Sequence, residues 1–346
     1  MLKGEMGSAP QHIPLRIVSI GGGNGLSTLL RGLKRYAKAG EGILDITAVV
    51  TVTDDGGSSG RLRRDFDVLP PGDIRNCMVA LSEDEALLSK LFQYRFSTGR
   101  GLKGHSFGNL FLTAMTHLTG DFYQAVRFSA EVLAVLGNIY PSTASNVVIE
   151  ATLANGSKVA GESRISRSRS RIEKIAIRPR RPKPMPETLE AIANADLITL
   201  GPGSLFTSVI PNLLVDGIPE AIAASPAMKA YFVNLMSQPG ETTNFRASDH
   251  VAAIYRHTKL PILDLCVVNT HAIRGKVLDR YQANAARPVE NDLENLERMG
   301  LKVIAADLLR IAGKRVPEKI RHDSSVIGAI AFELAQKGYR RKSKRK

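Results

Sequence analysis

Gly21, Gly22, Gly23 and Gly25 follow a short β-branched run, Ile17-Val18-Ser19-Ile20, and lead into leucines at helical spacing, Leu26, Leu29, Leu30 and Leu33. A strand that turns through glycines into a helix can cradle an anion. Glycines let a phosphate approach the main chain, and the helix start offers free N–H groups and the positive end of its dipole. The spacing is Gly21-x-Gly23-x-Gly25 rather than G-x-G-x-x-G, so the dinucleotide fingerprint is only approximate. Phosphate binding around Gly22, Gly23, Asn24 and Gly25 and a tight turn without ligand both remain open.

Further polar loops repeat the theme. Thr53-Asp54-Asp55-Gly56-Gly57-Ser58-Ser59 places two carboxylates before glycines and hydroxyls, which suits a sugar hydroxyl or a divalent cation, or a turn with an aspartate cap. Asp73 in Pro71-Gly72-Asp73 precedes a helical pattern and is expected to cap it. His105 and Asn109 lie in Gly104-His105-Ser106-Phe107-Gly108-Asn109, where the histidine either carries a proton or satisfies a helix start. Gly201-Pro202-Gly203-Ser204 is a second phosphate-type cradle, and residues 236–242 form a third polar loop after a strand. Tyr281 offers a ring to a base and Arg321 a fork to a phosphate, against the plainer roles of core residue and surface pair. No H-x-x-x-H pair, cysteine cluster, G-x-S-x-G elbow or P-loop is present in the sequence.

These loops need a scaffold. Strand-like runs at 17–21, 45–52, 196–200, 229–236 and 264–269 alternate with amphipathic stretches, so the expectation is an α/β, Rossmann-like, doubly wound and mostly parallel sheet. In that architecture the loops at the carboxyl ends of the strands form the binding crevice. Residues 84–136 read as helical. Asn155-Gly156 between two strand-like runs marks a hairpin, hence a small antiparallel β insertion at about 146–184. The basic, proline-ended stretch 164–183 reads as a linker or surface excursion. Residues 1–14 read as a flexible N-terminus, 15–336 as a single domain, and 337–346 as a disordered basic tail.

The net charge of +14 is uneven. Residues 164–183 hold nine Lys or Arg and one Glu, and 337–346 hold seven Lys or Arg and no acid, which leaves the body nearly neutral. That distribution argues against specific nucleic-acid binding. No signal peptide or long apolar run is written in the sequence. Cys77 and Cys266 sit among apolar neighbours, as packed, reduced thiols of a cytoplasmic protein would.

The ordered set GGGNGLSTLLRGLKRY, ITAVVTVTDDGGSSGRLRRDF, PPGDIRN, LFQYRF, GHSFGNL, LTGDFYQAV, GPGSLFTSVIPNLL and MSQPGETTNFRASDHV resembles the YvcK-type gluconeogenesis factors, within the CofD-like superfamily of 2-phospholactyl transferases. The resemblance spans roughly residues 15–335. It implies a cytoplasmic bacterial protein that binds UDP-sugars, notably UDP-N-acetylglucosamine, and links gluconeogenic carbon status to cell shape and peptidoglycan precursor supply through an unidentified protein partner. It assigns nucleotide-sugar contacts to residues 22–25, to Gly201, Gly203 and Ser204, and to Tyr281 and Arg321; Asp54, Asp55, His105 and Asn109 are further candidate ligand contacts read from the polar loops. Asn24 stands where this loop usually has threonine. No cofactor is required on this reading, and self-association is left open. The competing expectation is a phospholactyl-type transferase in which Asp54 and Asp73 work with magnesium and a nucleotide-linked donor. An ordinary dinucleotide oxidoreductase ranks below both, for want of the fingerprint.

Overall fold

The computed structural model describes residues 14–39, 43–83, 87–310 and 319–344. Ten strands are present among them: β1 (Leu15–Gly21), β2 (Leu44–Val50), β3 (Asn138–Pro141), β4 (Val148–Leu153), β5 (Lys158–Ala160), β6 (Ile172–Arg178), β7 (Leu197–Leu200), β8 (Met228–Phe232), β9 (Leu265–Asn269) and β10 (Lys302–Ala306). Seven form one sheet in the order β10-β9-β8-β7-β1-β2-β3, and every pairing in it is parallel. The expected doubly wound α/β architecture is therefore present.

Period-2 alternation sends the two faces of this sheet into two cores. Ile17, Ile46, Val50, Phe232 and Val267 face a core completed by the helices Gly23–Ala39, Gly72–Leu81 and Ser324–Ser343. Val18, Ile20, Val49, Tyr231 and Val268 face the other, which takes in Leu205, Phe206, Ile210, Val251 and Ile254. Both cysteines are buried free thiols, and burial raises the Cys266 thiol to about 12. No single helix among the described residues is long and apolar enough to cross a membrane.

β1 is the topological centre. The chain leaves it toward β2 and β3 on one side, then returns to β7 on the other. The loops after β1 and β7 thus open side by side where the strand order reverses, the place where sheets of this kind hold ligands.

The helical expectation for residues 84–136 is met by the helices Leu87–Gln93, Phe107–Thr119 and Phe122–Val132. The Asn155-Gly156 hairpin joins β4 to β5. The basic stretch 164–183 is more than a linker, because β6 lies within it and pairs antiparallel with β4, burying Ile172, Ile175 and Ile177. The expected N-terminal segment falls, apart from Pro14, outside the described residues.

The basic run at the C-terminus is also corrected. Through Ser343 it continues the helix Ser324–Ser343 rather than forming a disordered tail. Arg341 donates to the carbonyls of Pro226 and Ala227 and to the Asp264 carboxylate. Lys342 donates to the carbonyls of Asn194 and Ala195 and lies 3.5 Å from Asp196. Residues 345 and 346 are outside the described set.

Candidate functional site

β1 ends at Gly21, and the helix Gly23–Ala39 starts two residues later with no acid in its first turn. Asn212 Nδ2 donates to the Gly21 carbonyl at 3.1 Å, as does the Thr51 N–H at 3.0 Å, so the turn is held from both sides. Gly22 and Gly25 have no room for a side chain. A β-carbon on Gly22 would lie 2.6 Å from Asp73 Oδ2, and one on Gly25 would run into the Pro202 backbone. The glycines therefore serve close packing of one loop on the other as well as backbone freedom.

The second loop follows β7. After Gly201, Pro202 and Gly203, the chain winds one π-type turn, Leu205–Val209, into the short helix Ile210–Leu213. The Gly203 N–H donates to Asn234 Oδ1 at 3.3 Å, and Gln238 Nε2 donates to Ser204 Oγ at 2.6 Å. The polar loop after β8 thus props the loop after β7.

Between the two loops opens a cleft of about 260 Å³. Asn24, Gly25, Gly203, Ser204, Tyr281 and Arg321 all line it. Tyr281 and Arg321 belong to distant parts of the chain, yet the Ile320 N–H donates to the Tyr281 hydroxyl at 3.2 Å, so the two walls are tied together. His322 lies deeper and donates from Nε2 to the Val233 carbonyl at 3.3 Å. Burial lowers its imidazole to about 4, so it stays neutral near pH 7. The cations facing the cleft are Lys319 and Arg321, both exposed. Its chemistry is that of an anion site with a ring at one side: N–H groups at a helix start, hydroxyl and amide groups, two cations and a tyrosine.

The other expected residues form a second layer behind the glycine turn. Asp54 Oδ1 accepts from the Gly56 N–H at 2.8 Å, and Asp55 Oδ1 accepts from the Ser163 N–H of the insertion at 2.8 Å. Asp73 does not cap its helix. It sits inside the first turn, half-buried, and its carboxylate accepts from the Gly23 N–H. Burial, with the nearby Asp54 charge adding to it, raises Asp73 to about 7. His105 Nδ1 lies 3.0 Å from Ser58 Oγ, and Ser106 rather than His105 caps the helix Phe107–Thr119. Asn109 Nδ2 donates to Ser59 Oγ at 3.2 Å, while its Oδ1 accepts from Arg75 at 2.9 Å. Asp54, Asp55, His105 and Asn109 do not line the cleft; their bonds hold the loop after β2 to the insertion and to the helix Phe107–Thr119.

Sequence reasoning did not single out Thr28, Asn234, Lys319 or His322, which also line the cleft. Thr28 is one helical turn beyond Asn24, a spacing that carried a signal. Asn234 gains its place only through the pairing of β8 with β7.

With this geometry in view, the comparisons with known proteins are decisive. The family profile described as 2-phospho-L-lactate transferase CofD matches residues 17–309. The chain belongs to the CofD family. Within it, the gluconeogenesis factor of Bacillus subtilis is 45% identical over 92% of this chain and 98% of its own length. A putative gluconeogenesis factor of Aquifex aeolicus is 43% identical over 93% of this chain and 97% of its own. A crystal structure of a Bacillus halodurans protein superposes with a TM-score of 0.87 at 44% identity, covering 92% of this chain and 99% of that one. The same protein, solved a second time, is described as a member of the upf0052 family. The CofD-family matches therefore span both the large sheet and the antiparallel insertion.

Proposed function

We propose that this CofD-family chain is a cytoplasmic regulatory protein that binds a UDP-sugar, with UDP-N-acetylglucosamine as the first candidate, and links gluconeogenic carbon status to cell shape and peptidoglycan precursor supply. The observation that carries the proposal is the convergence of both glycine loops, Tyr281 and Arg321 on one cleft at the switch point of the sheet. Backbone amides of the two loops and Arg321 neutralise the pyrophosphate. Tyr281 contacts the base, and Asn234, Gln238 and His322 read the remaining hydroxyl and amide groups. The gluconeogenesis factor names of the relatives support the link to carbon metabolism.

The test is thermal stabilisation by UDP-N-acetylglucosamine, UDP-glucose, GTP and NAD, with and without magnesium. A ligand at about 100 times its dissociation constant adds roughly 2.7 kcal/mol. A midpoint shift confined to UDP-sugars supports the reading, and a shift only with NAD or only with GTP and magnesium overturns it.

The half-buried pair Asp54 and Asp73 favours a second reading, a phospholactyl-type transferase. Two adjacent carboxylates, one of them pushed to about 7 partly by the other's charge, form a donor set that a divalent cation would relieve. Asp54 and Asp73 would hold magnesium, which supplies charge neutralisation at a transferred phosphoryl group. The residues of this chain would hold the donor's phosphates on the loop amides and exclude water. Turnover of a nucleotide-linked donor that needs magnesium and is lost in Asp54→Asn would establish this reading.

A further inference from the structure

The connection between β5 and β6 carries Arg164, Arg167, Arg169 and Arg171 on one short stretch, and all four are exposed. None of them enters an ion pair among the described residues. Four like charges on one short stretch, none of them ion-paired, make a local field that attracts an anionic partner. Two of these arginines also shape a cavity. Arg169 and Arg171, with Thr243, Asn244, Phe245 and Asp249, line about 290 Å³. The carboxylate there is engaged, since Asp249 Oδ2 accepts from the Arg246 N–H at 2.8 Å. Guanidinium forks beside hydroxyl and amide groups fit carboxylates bidentately. A stacking platform for nucleic-acid bases is missing from this cavity, because Phe245 is buried and the Arg171 guanidinium lies over its ring at 5.8 Å.

The same cavity shares a loop with the cleft. Gln238 lines the cleft, and its Oε1 is buried with no hydrogen-bond partner among the described residues. Its backbone N–H donates to Thr242 Oγ1 at 2.9 Å, and the Gly240 N–H donates to Thr243 Oγ1 at 3.0 Å. Gly240 packs so closely on the insertion that a β-carbon would run into the Ser168 carbonyl. Thr243, Asn244 and Phe245 then line the arginine cavity. One short, tightly bonded loop therefore has its first end in the cleft and its last end among the arginines.

We propose that the arginine face of the insertion docks an acidic protein segment, and that loop 237–245 couples this docking to occupancy of the cleft; the coupling rests on the ligand-binding reading above. A ligand group that satisfies Gln238 Oε1 fixes the start of the loop, and with it Thr243 and Asn244 beside the arginines.

The probe is a fluorescein-labelled peptide of glutamates and aspartates, followed by fluorescence anisotropy on the full chain at about 150 mM salt. Arg169→Gln/Arg171→Gln is expected to weaken binding about tenfold or more, with an unchanged thermal midpoint showing that the fold is intact. Arg298→Gln/Lys302→Gln, which removes the same charge elsewhere, is expected to leave binding unchanged. Saturating UDP-N-acetylglucosamine is expected to change the peptide affinity about fivefold or more. Equal weakening by both double variants, or tighter binding of oligouridylate of equal charge, overturns the docking. Unchanged peptide affinity with a UDP-sugar that does raise the midpoint overturns the coupling. A UDP-sugar that leaves the midpoint unmoved overturns the cleft reading and the coupling with it, while the peptide measurements still decide the docking.

Discussion

Gly25 and Pro202 touch through their backbones: the α-carbon of Gly25 faces the Pro202 carbonyl with no space for a β-carbon, which would also lie 2.8 Å from the Gly203 nitrogen. The loop after β1 and the loop after β7 are thus one packed unit. Gly25→Ala must push them apart. Overpacking of this kind costs about 1–3 kcal/mol, so the thermal midpoint should fall by several degrees and the UDP-sugar shift should vanish. A variant with native midpoint and native ligand response would show that the contact is slack.

Arg321 is exposed at the rim of the cleft. Its removal should therefore leave stability almost unchanged while weakening an anionic ligand. A hydrogen bond to a charged group is worth about 1.5–3 kcal/mol, so Arg321→Ala should raise the UDP-sugar dissociation constant roughly ten- to a hundredfold in calorimetric titration. Tyr281→Phe keeps the ring but loses the acceptor for the Ile320 N–H. It should weaken binding less than Arg321→Ala; the reverse order would move the phosphate contact away from Arg321.

Glu241 supplies a pH test. It is buried, Ser166 Oγ donates to its Oε1 at 3.3 Å, and Oε2 has no partner among the described residues. Burial raises its carboxyl from 4.5 to about 7, with the Ser166 bond opposing the shift. An acid raised in the folded state favours folding below its unfolded value, and that contribution is lost as pH climbs through about 7. Glu241→Gln should therefore match the parent near pH 4.5 and be the more stable protein at pH 8, by up to about 3 kcal/mol. Parallel midpoint curves for the two proteins from pH 4.5 to 8 would refute the assignment.

Removing residues 337–346 should lower stability without touching the cleft. The deletion takes away Arg341 and Lys342, which bond the ends of neighbouring elements, and Gly338, which packs against the Asp196 carbonyl. A midpoint lower by several degrees, with the UDP-sugar shift retained, is the expected result of a thermal scan. An unchanged midpoint would mean those bonds contribute nothing net.

Much of this arrangement is legible in the chain. The glycine turns, the leucine periodicity after Gly25 and the Asn155-Gly156 hairpin announce themselves because local backbone chemistry decides them. β3 and β10 do not, and they are the two edges of the large sheet. Asn138–Pro141 is short and ends in proline, and Lys302–Ala306 is partly exposed along its length, so neither carries the buried β-branched signature of an inner strand. β6 was hidden by charge: its inward isoleucines are interleaved with Glu173, Lys174 and Arg178. The end of the last helix was misread for a different reason. Its acceptors lie at Asn194, Ala195, Pro226, Ala227 and Asp264, and no local window reveals a partner so far away in sequence. The same holds for the cleft, where Tyr281 and Arg321 were named from chemistry but their meeting with Asn24 and Ser204 is a property of the fold.

The helix Gly23–Ala39 crosses the helix Ser324–Ser343 at Gly32 and Gly328, so closely that a β-carbon on either would strike the other's backbone. The two helices lie far apart in the chain, and the first of them follows β1, an inner strand of the sheet. On the ribosome, the helix Gly23–Ala39 therefore cannot reach its final surroundings until residues 324–343 have emerged. A prematurely terminated product would lack both the partner of its first helix and, through the missing residues 319–322, one wall of the cleft. Burial of the helix Gly23–Ala39 and closure of the cleft wall thus depend on one and the same segment, residues 319–343.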